Sequence, residues 1–182
     1  MSYECKTRFE VQKIVRDNIL AGMEAYGIDA SAFTVMEAKQ TPPTAKTDFI
    51  TFVMTGKKRA GWPMVKYGGL GDDFSRIEDF IEMQDWSVSV VKRRRQGEAI
   101  DEMSADDLLA VLTEWFNGMG CFEFRRSGVS CLLVQAEEDK KAKDDSSLTQ
   151  NPSAIRLTLC VPKRLKIRHK IAEVAKPDIM PV

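Results

Sequence analysis

Residues 80–92 read FIEMQDWSVSVVK, and the order of side chains in this stretch decides the fold class. Successive residues of an extended chain point to opposite faces. Trp86, Val88 and Val90 therefore share one side, and Asp85, Ser87 and Ser89 share the other. Such alternation predicts a long strand with one wet face over part of its length, in a sheet whose other face is covered. Two helical stretches can supply the cover. In SADDLLAVLTEWFNG (104–118), Leu108, Leu109, Val111, Leu112, Trp115 and Phe116 recur at helical spacing. Ser104 with Asp107 forms a capping-box pattern ahead of this run, and Asn117–Gly118 stops it. In RFEVQKIVRDNILAGMEAY (8–26), Val11, Ile14, Val15, Ile19, Met23 and Tyr26 line one side, and Gly27 is the natural stop.

Working outward, DFITFVMTG (48–56) is apolar on both alternating sets, Phe49, Thr51, Val53 and Ile50, Phe52, Met54, which predicts an interior strand. AIRLTLCV (154–161) alternates Ile155, Leu157, Leu159 and Val161 with Arg156, Thr158 and Cys160, a half-buried strand. Pro162 is expected to interrupt it. RLKIRHKIAEV (164–174) then alternates again as an edge strand or extended arm. The segment 57–76, rich in glycine and interrupted by Pro63, predicts a loop or splayed hairpin. Residues 122–134 predict one or two short strands around Ser127–Gly128, 40–46 a proline-paired linker, and 136–153 a polar loop. The expected fold class is α+β: a mostly antiparallel sheet with two main helices packed on it, plus a C-terminal strand or extended arm. The expected division is a domain at 1–162 and an arm or tail at 163–182.

Lys plus Arg and Asp plus Glu both number 27, so the chain is neutral. That argues against a polybasic nucleic-acid module, although not against one basic face. No apolar run reaches the ~18 residues of a spanning helix, and the N-terminus lacks the apolar core of a secretory signal. Cys5, Cys121, Cys131 and Cys160 have no metal-ligand or redox spacing and read as reduced thiols.

Catalytic patterns are sparse. The single histidine, His169, stands among cations and has no nucleophile in a recognisable pattern. YGGLGDDFS (67–75) is neither a P-loop nor a dinucleotide fingerprint. Asp72 and Asp73 in it are the residues that an enzyme reading would use, together with a cysteine. Asp106 and Asp107 are explained by the helix N-terminus. The expectation is a non-enzyme with no cofactor and no metal. Basic runs remain: Lys92, Arg93, Arg94 and Arg95, then Arg125–Arg126, then 163–170. They read as solvated faces, or as a surface for nucleic acid or an acidic partner.

The element order then resembles a known family. An amphipathic helix precedes FITFVMTG, a GWP-containing segment, QDWSVSVVKR, SADDLLAVLTEWF, RRSGVSCLLVQ, a polar linker and NPSAIRLTLCV. Over roughly residues 8–162 this pattern is similar to the tail terminator or neck terminator subunits of tailed bacteriophages. The resemblance implies a structural virion protein, in the tail or neck of the virion and in the host cytoplasm during assembly. It implies a homohexameric ring that caps the tail tube, stops its polymerisation and joins it to the head–neck connector or adaptor, with DNA passing through the lumen. Expected neighbours are the tail tube protein, the connector and the sheath. The interface residues so implied are Trp62, Tyr67, Lys92, Arg93, Arg94, Arg95, Arg164, Lys166 and Arg168. The alternative is a nucleic-acid-binding accessory protein that uses the basic runs.

Overall fold

The computed structural model describes residues 5–38, 48–68, 75–91, 103–137 and 154–168. Helix α1 (Arg8–Ala25) opens on a capping box. The Glu10 amide donates to Thr7 Oγ1 at 3.2 Å, and the Thr7 amide donates to Glu10 Oε2 at 2.6 Å, so two helix-end amides are satisfied reciprocally. Gly27 ends the helix at φ +69°, a conformation that costs glycine nothing. A 3-10 turn (Ala30–Ala32) leads into β1 (Phe33–Glu37), which the alternation did not reveal because the strand has only five residues. Next come β2 (Asp48–Gly68), β3 (Ser75–Val91), α2 (Ala105–Asn117), α3 (Met119–Arg126), β4 (Ser130–Glu137) and β5 (Ala154–Arg168).

The strands form one sheet in the order β1-β2-β3-β5-β4. All pairs are antiparallel except β1 with β2. The α+β class therefore holds, with a mostly antiparallel sheet and a third, short helix that the sequence reading did not contain. That helix replaces the strand expected from Phe122. The period-2 look of CFEF misled: Gly120 and Phe124, four apart, are the buried pair, and Phe122 is exposed. Phe124 stacks on Phe116, with ring centroids 5.9 Å apart.

One face of the sheet carries the core. Ile50 and Phe52, Trp86, Val88 and Val90, and Ile155, Leu157, Leu159 and Val161 are buried against Val11, Val15, Ile19 and Met23 of α1 and Leu108, Leu112 and Phe116 of α2. Cross-strand pairs such as Phe52↔Val88 and Trp86↔Leu157 keep these side chains on the same side. By the same register the opposite face carries Thr51, Ser87, Ser89, Arg156 and Thr158, which accounts for the alternation in the sequence.

Trp115 was expected in the buried stripe; it is half-buried and joins the three helices instead. Its Nε1 donates to Asn18 Oδ1 at 2.7 Å, and Asn18 Nδ2 donates to the Gly120 carbonyl at 2.9 Å. The indole lies so close to α1 and α3 that a Cβ on Gly22 would stand 2.8 Å from Trp115 Cδ1, and one on Gly120 would stand 2.9 Å away. Both positions require glycine for space.

Two further expectations are settled. Of the loop or splayed hairpin expected at 57–76, the hairpin forms: β2 and β3 stay paired through its described part, with a bulge between Ala60 and Met64. Pro162 does not interrupt β5, which pairs with β3 across Ile81↔Pro162. The Pro162 carbonyl accepts from the Lys6 amide at 3.3 Å. A strand residue's N and O point to the same side, so the missing N–H faces away from β3 and no ladder bond is lost. The boundary drawn after residue 162 thus falls inside β5, and residues 169–182 lie outside the described residues.

Two outcomes check this packing. Gly22→Ala should cost about 1–3 kcal/mol by overpacking the indole, read as a lowered urea midpoint; an unchanged midpoint would contradict the close approach. The second concerns the α2 cap. Hydrogen bonds from Ser104, side chain first and backbone second, hold the Asp107 carboxyl below the usual carboxylate range. A carboxyl depressed in the folded state adds stability above its unfolded pKa and loses it as pH falls through the folded value. Asp107→Ala should therefore melt below wild type at neutral pH, with the gap closing as pH drops towards ~2. A gap independent of pH would show that the carboxylate is not the capping group.

Candidate assembly interface

The long strands outrun the helices. Past Trp86 on β3 and Val161 on β5 the fully buried core stops, while the ladder continues through residues 56–68, 75–83 and 162–168. These segments form a three-stranded arm about 25 Å long at ~3.3 Å per residue. β1 pairs with β2 only at 48–52, and β4 reaches β5 only as far as Cys160. Among the described residues, β2 and β5 are therefore both edges of the sheet in the arm.

Local chemistry shapes the arm. The GWP segment is a bulge rather than a turn. Ala60 pairs with Ile81 and Met64 with Asp79, so Gly61, Trp62 and Pro63 stand opposite Phe80 alone. Gly61 takes φ +72°, and Pro63 sits where a strand tolerates a missing donor. The bulge ejects Trp62, which is 98% exposed. Met64 and Tyr67 are each 64% exposed and Leu165 is 40% exposed.

Register divides the remaining arm side chains into two faces. On the face continuous with the core side, Glu78 is buried between Arg76 at 2.8 Å and Arg59 at 3.3 Å, and the Arg59 guanidinium lies 4.2 Å from the centroid of the Phe80 ring. Also on this side, Lys163 Nζ donates to the Lys6 carbonyl and ties the arm's base to the start of α1. On the reverse face stand Lys58, Met64 and Lys66 of β2, Ile77, Asp79 and Ile81 of β3, and Arg164 and Lys166 of β5. Arg164 grips Asp79 with two hydrogen bonds, at 2.6 and 3.0 Å, and Lys66 approaches the same carboxylate at 3.7 Å. The Arg164 contact holds the Asp79 carboxyl below the usual carboxylate range and raises the guanidinium's own pKa. At the arm's base Asp85 accepts from Thr158 Oγ1 at 2.7 Å and meets Arg156 at 3.5 Å.

Of the interface residues expected from sequence, Trp62, Tyr67, Arg164 and Lys166 come together on this arm. Arg168 belongs to the same stretch of β5, opposite Ser75 in register. Lys92, Arg93, Arg94 and Arg95 lie outside the described residues. The sequence reading missed the Arg59–Glu78–Arg76 cluster and Asp79, although alternation in SRIEDFIE (75–82) was their signal.

The residues named for an enzyme reading fare differently. Asp72, Asp73 and His169 lie outside the described residues. A nucleophilic cysteine needs a lowered pKa, whereas burial first, and the neighbouring Cys121 thiol second, push Cys131 up to about 12. Burial also raises the Cys160 thiol. Among the described residues no group of three His, Cys, Asp or Glu side chains is placed to hold a metal ion, and no helix is long and apolar enough to cross a membrane.

No curated protein matches the chain. The family model of the E217 gateway protein gp29 matches residues 10–166, a span that runs from the first turn of α1 to Lys166 in the arm and takes in the described sheet except the last two residues of β5. The chain belongs to this family of bacteriophage gateway proteins.

Proposed function

We propose that the chain is a non-catalytic structural subunit of the virion, placed in the phage neck, which assembles into a homohexameric ring. The ring ends the tail tube, stops its growth and joins it to the head–neck connector, with DNA passing through the lumen. Membership of the gateway family supports a structural role at the head–tail junction. The finer reading rests on the resemblance of the element order to tail and neck terminators.

The observation that carries it is the arm. A three-stranded ribbon whose faces no described helix covers buries little apolar surface of its own, and soluble monomers rarely leave large apolar patches open. Trp62, Met64, Tyr67 and Leu165 are exposed on a projecting element with two open edges among the described residues, Met64 on its reverse face and Tyr67 and Leu165 on the face continuous with the core side. A ring needs heterologous contacts that close, and an element reaching beyond its own core is suited to one side of such a contact. The nucleic-acid alternative draws less support. Arg164 is paired with Asp79, and Arg59 and Arg76 share the Glu78 carboxylate, so these three arginines are already engaged within the chain.

Light scattering and negative-stain imaging test the proposal. The expected result is a six-fold ring with roughly six times the 20.5 kDa chain mass, alone or on the ends of tail tubes. Chains that stay monomeric and leave tubes uncapped would overturn it. Trp62→Ser should leave the denaturation midpoint within ~0.5 kcal/mol of wild type, as exposed positions do, and should weaken ring formation. A large stability loss would contradict its exposure, and undiminished assembly would remove it from the interface.

A further inference from the structure

Charge is distributed unevenly over the fold. Residues 56–68, 75–83 and 162–168 hold nine of the 27 Lys and Arg but three of the 27 Asp and Glu. The arm therefore carries +6 and, the chain being neutral, everything else carries −6. Counting Asp72 and Asp73 of the connecting 69–74 still leaves the arm at +4. The larger share is on the reverse face, where Lys58, Lys66, Arg164 and Lys166 oppose Asp79 alone around Met64 and Ile77; on the other face Lys57, Arg59, Arg76 and Lys163 meet both Glu78 and Glu82.

The body has a counterpart. Between Ser104 and Gly118, α2 contains Asp106, Asp107 and Glu114 and no Lys or Arg. Its apolar stripe of Leu108, Leu109, Leu112 and Phe116 is turned into the core, which leaves the three carboxylates exposed on the outside around Ala110. Beyond its C-terminal end Met119 and Phe122 are 57% exposed. One surface is basic with an apolar centre; the other is acidic with apolar neighbours.

We propose that the basic reverse face of the arm docks on the acidic outer face of α2 in a second copy of this chain. The proposal rests on the ring reading for its occupant. Within one chain the arm projects away from the helical layer, so the two surfaces meet only between copies. Each copy offers one of each, which is the head-to-tail arrangement that closes into a ring. Complementary potentials of this kind steer encounter and fix register, whereas like charges brought together cost several kcal/mol. A protein occupant fits better than DNA. Exposed Met64 on that face, with Trp62 beside it in the bulge, gains from apolar burial, which a phosphate backbone does not offer, and the carboxylates that balance the arm are on the same chain.

Charge reversal provides the test. One variant carries Lys58→Glu with Lys166→Glu, the other Asp106→Lys with Glu114→Lys; these four side chains are exposed and outside the core. Denaturation midpoints near wild type establish that each variant folds. Each alone should self-associate on the order of a hundredfold more weakly than wild type. Mixing the two should restore assembly, because each reversed surface then meets its complement, and so should combining all four substitutions in one chain. Rings that form equally well from every protein refute the arm-on-helix contact and leave the ring reading standing. Pairs or open strings that obey the charge swap keep the contact and refute the closed ring. Wild-type protein that is monomeric at low salt and leaves tail tubes uncapped overturns both. Duplex DNA binding that is steep in salt and lost in the lysine variant, with self-association untouched, overturns the choice of occupant.

Discussion

The helices cover only as much of the sheet as they can reach. α2 has 13 residues and spans ~20 Å, whereas β3 has 17 and spans ~55 Å. Everything else follows from that mismatch. Where helices lie over the sheet, alternate side chains are fully buried and the core closes. Where the strands run on, the same alternation leaves apolar and charged groups on both faces of a ribbon. That surplus is also the functional signal, because an uncovered ribbon is completed by something outside the chain.

The covered half depends on the knot at Trp115. Helices α1, α2 and α3 meet there through one indole, one asparagine and two glycines. The polar atoms are satisfied within the knot, so the site fixes how the helices cross without leaving an unpaired donor in the interior. The uncovered half depends on electrostatics. Two of its three described carboxylates, Glu78 and Asp79, each lie within ion-pair distance of two cations, which lets so basic a ribbon hold together before any partner arrives.

Much of this was legible in the sequence, for definite reasons. The α1 and α2 stripes, the α2 cap, the stops at Gly27 and Gly118 and the alternation of 86–90 and 155–161 were readable because burial there follows strand or helix period, with exposed Tyr26 and half-buried Trp115 as departures. The arm was not. Gly61 and Pro63 look like punctuation between elements, and only the pairing partner shows that they make a bulge inside one strand. Pro162 looked like a break because its tolerance depends on which side its nitrogen faces, a fact of register. β1 is too short to show a period, and α3 has a strand-like alternation whose second phenylalanine alone is buried. Trp62, Tyr67, Arg164 and Lys166 were named for their chemistry and the resemblance. That they share one projecting element required the β2–β3–β5 register.

The most direct test of the arm as a docking element is hydrogen–deuterium exchange of the isolated chain compared with the assembled protein. Backbone amides of 57–67 and 163–168, along with those of the α2 region, should slow on assembly, while the buried stretches of β3 and β5 change little. Unchanged exchange throughout the arm, with new protection confined to other surfaces, would contradict the account.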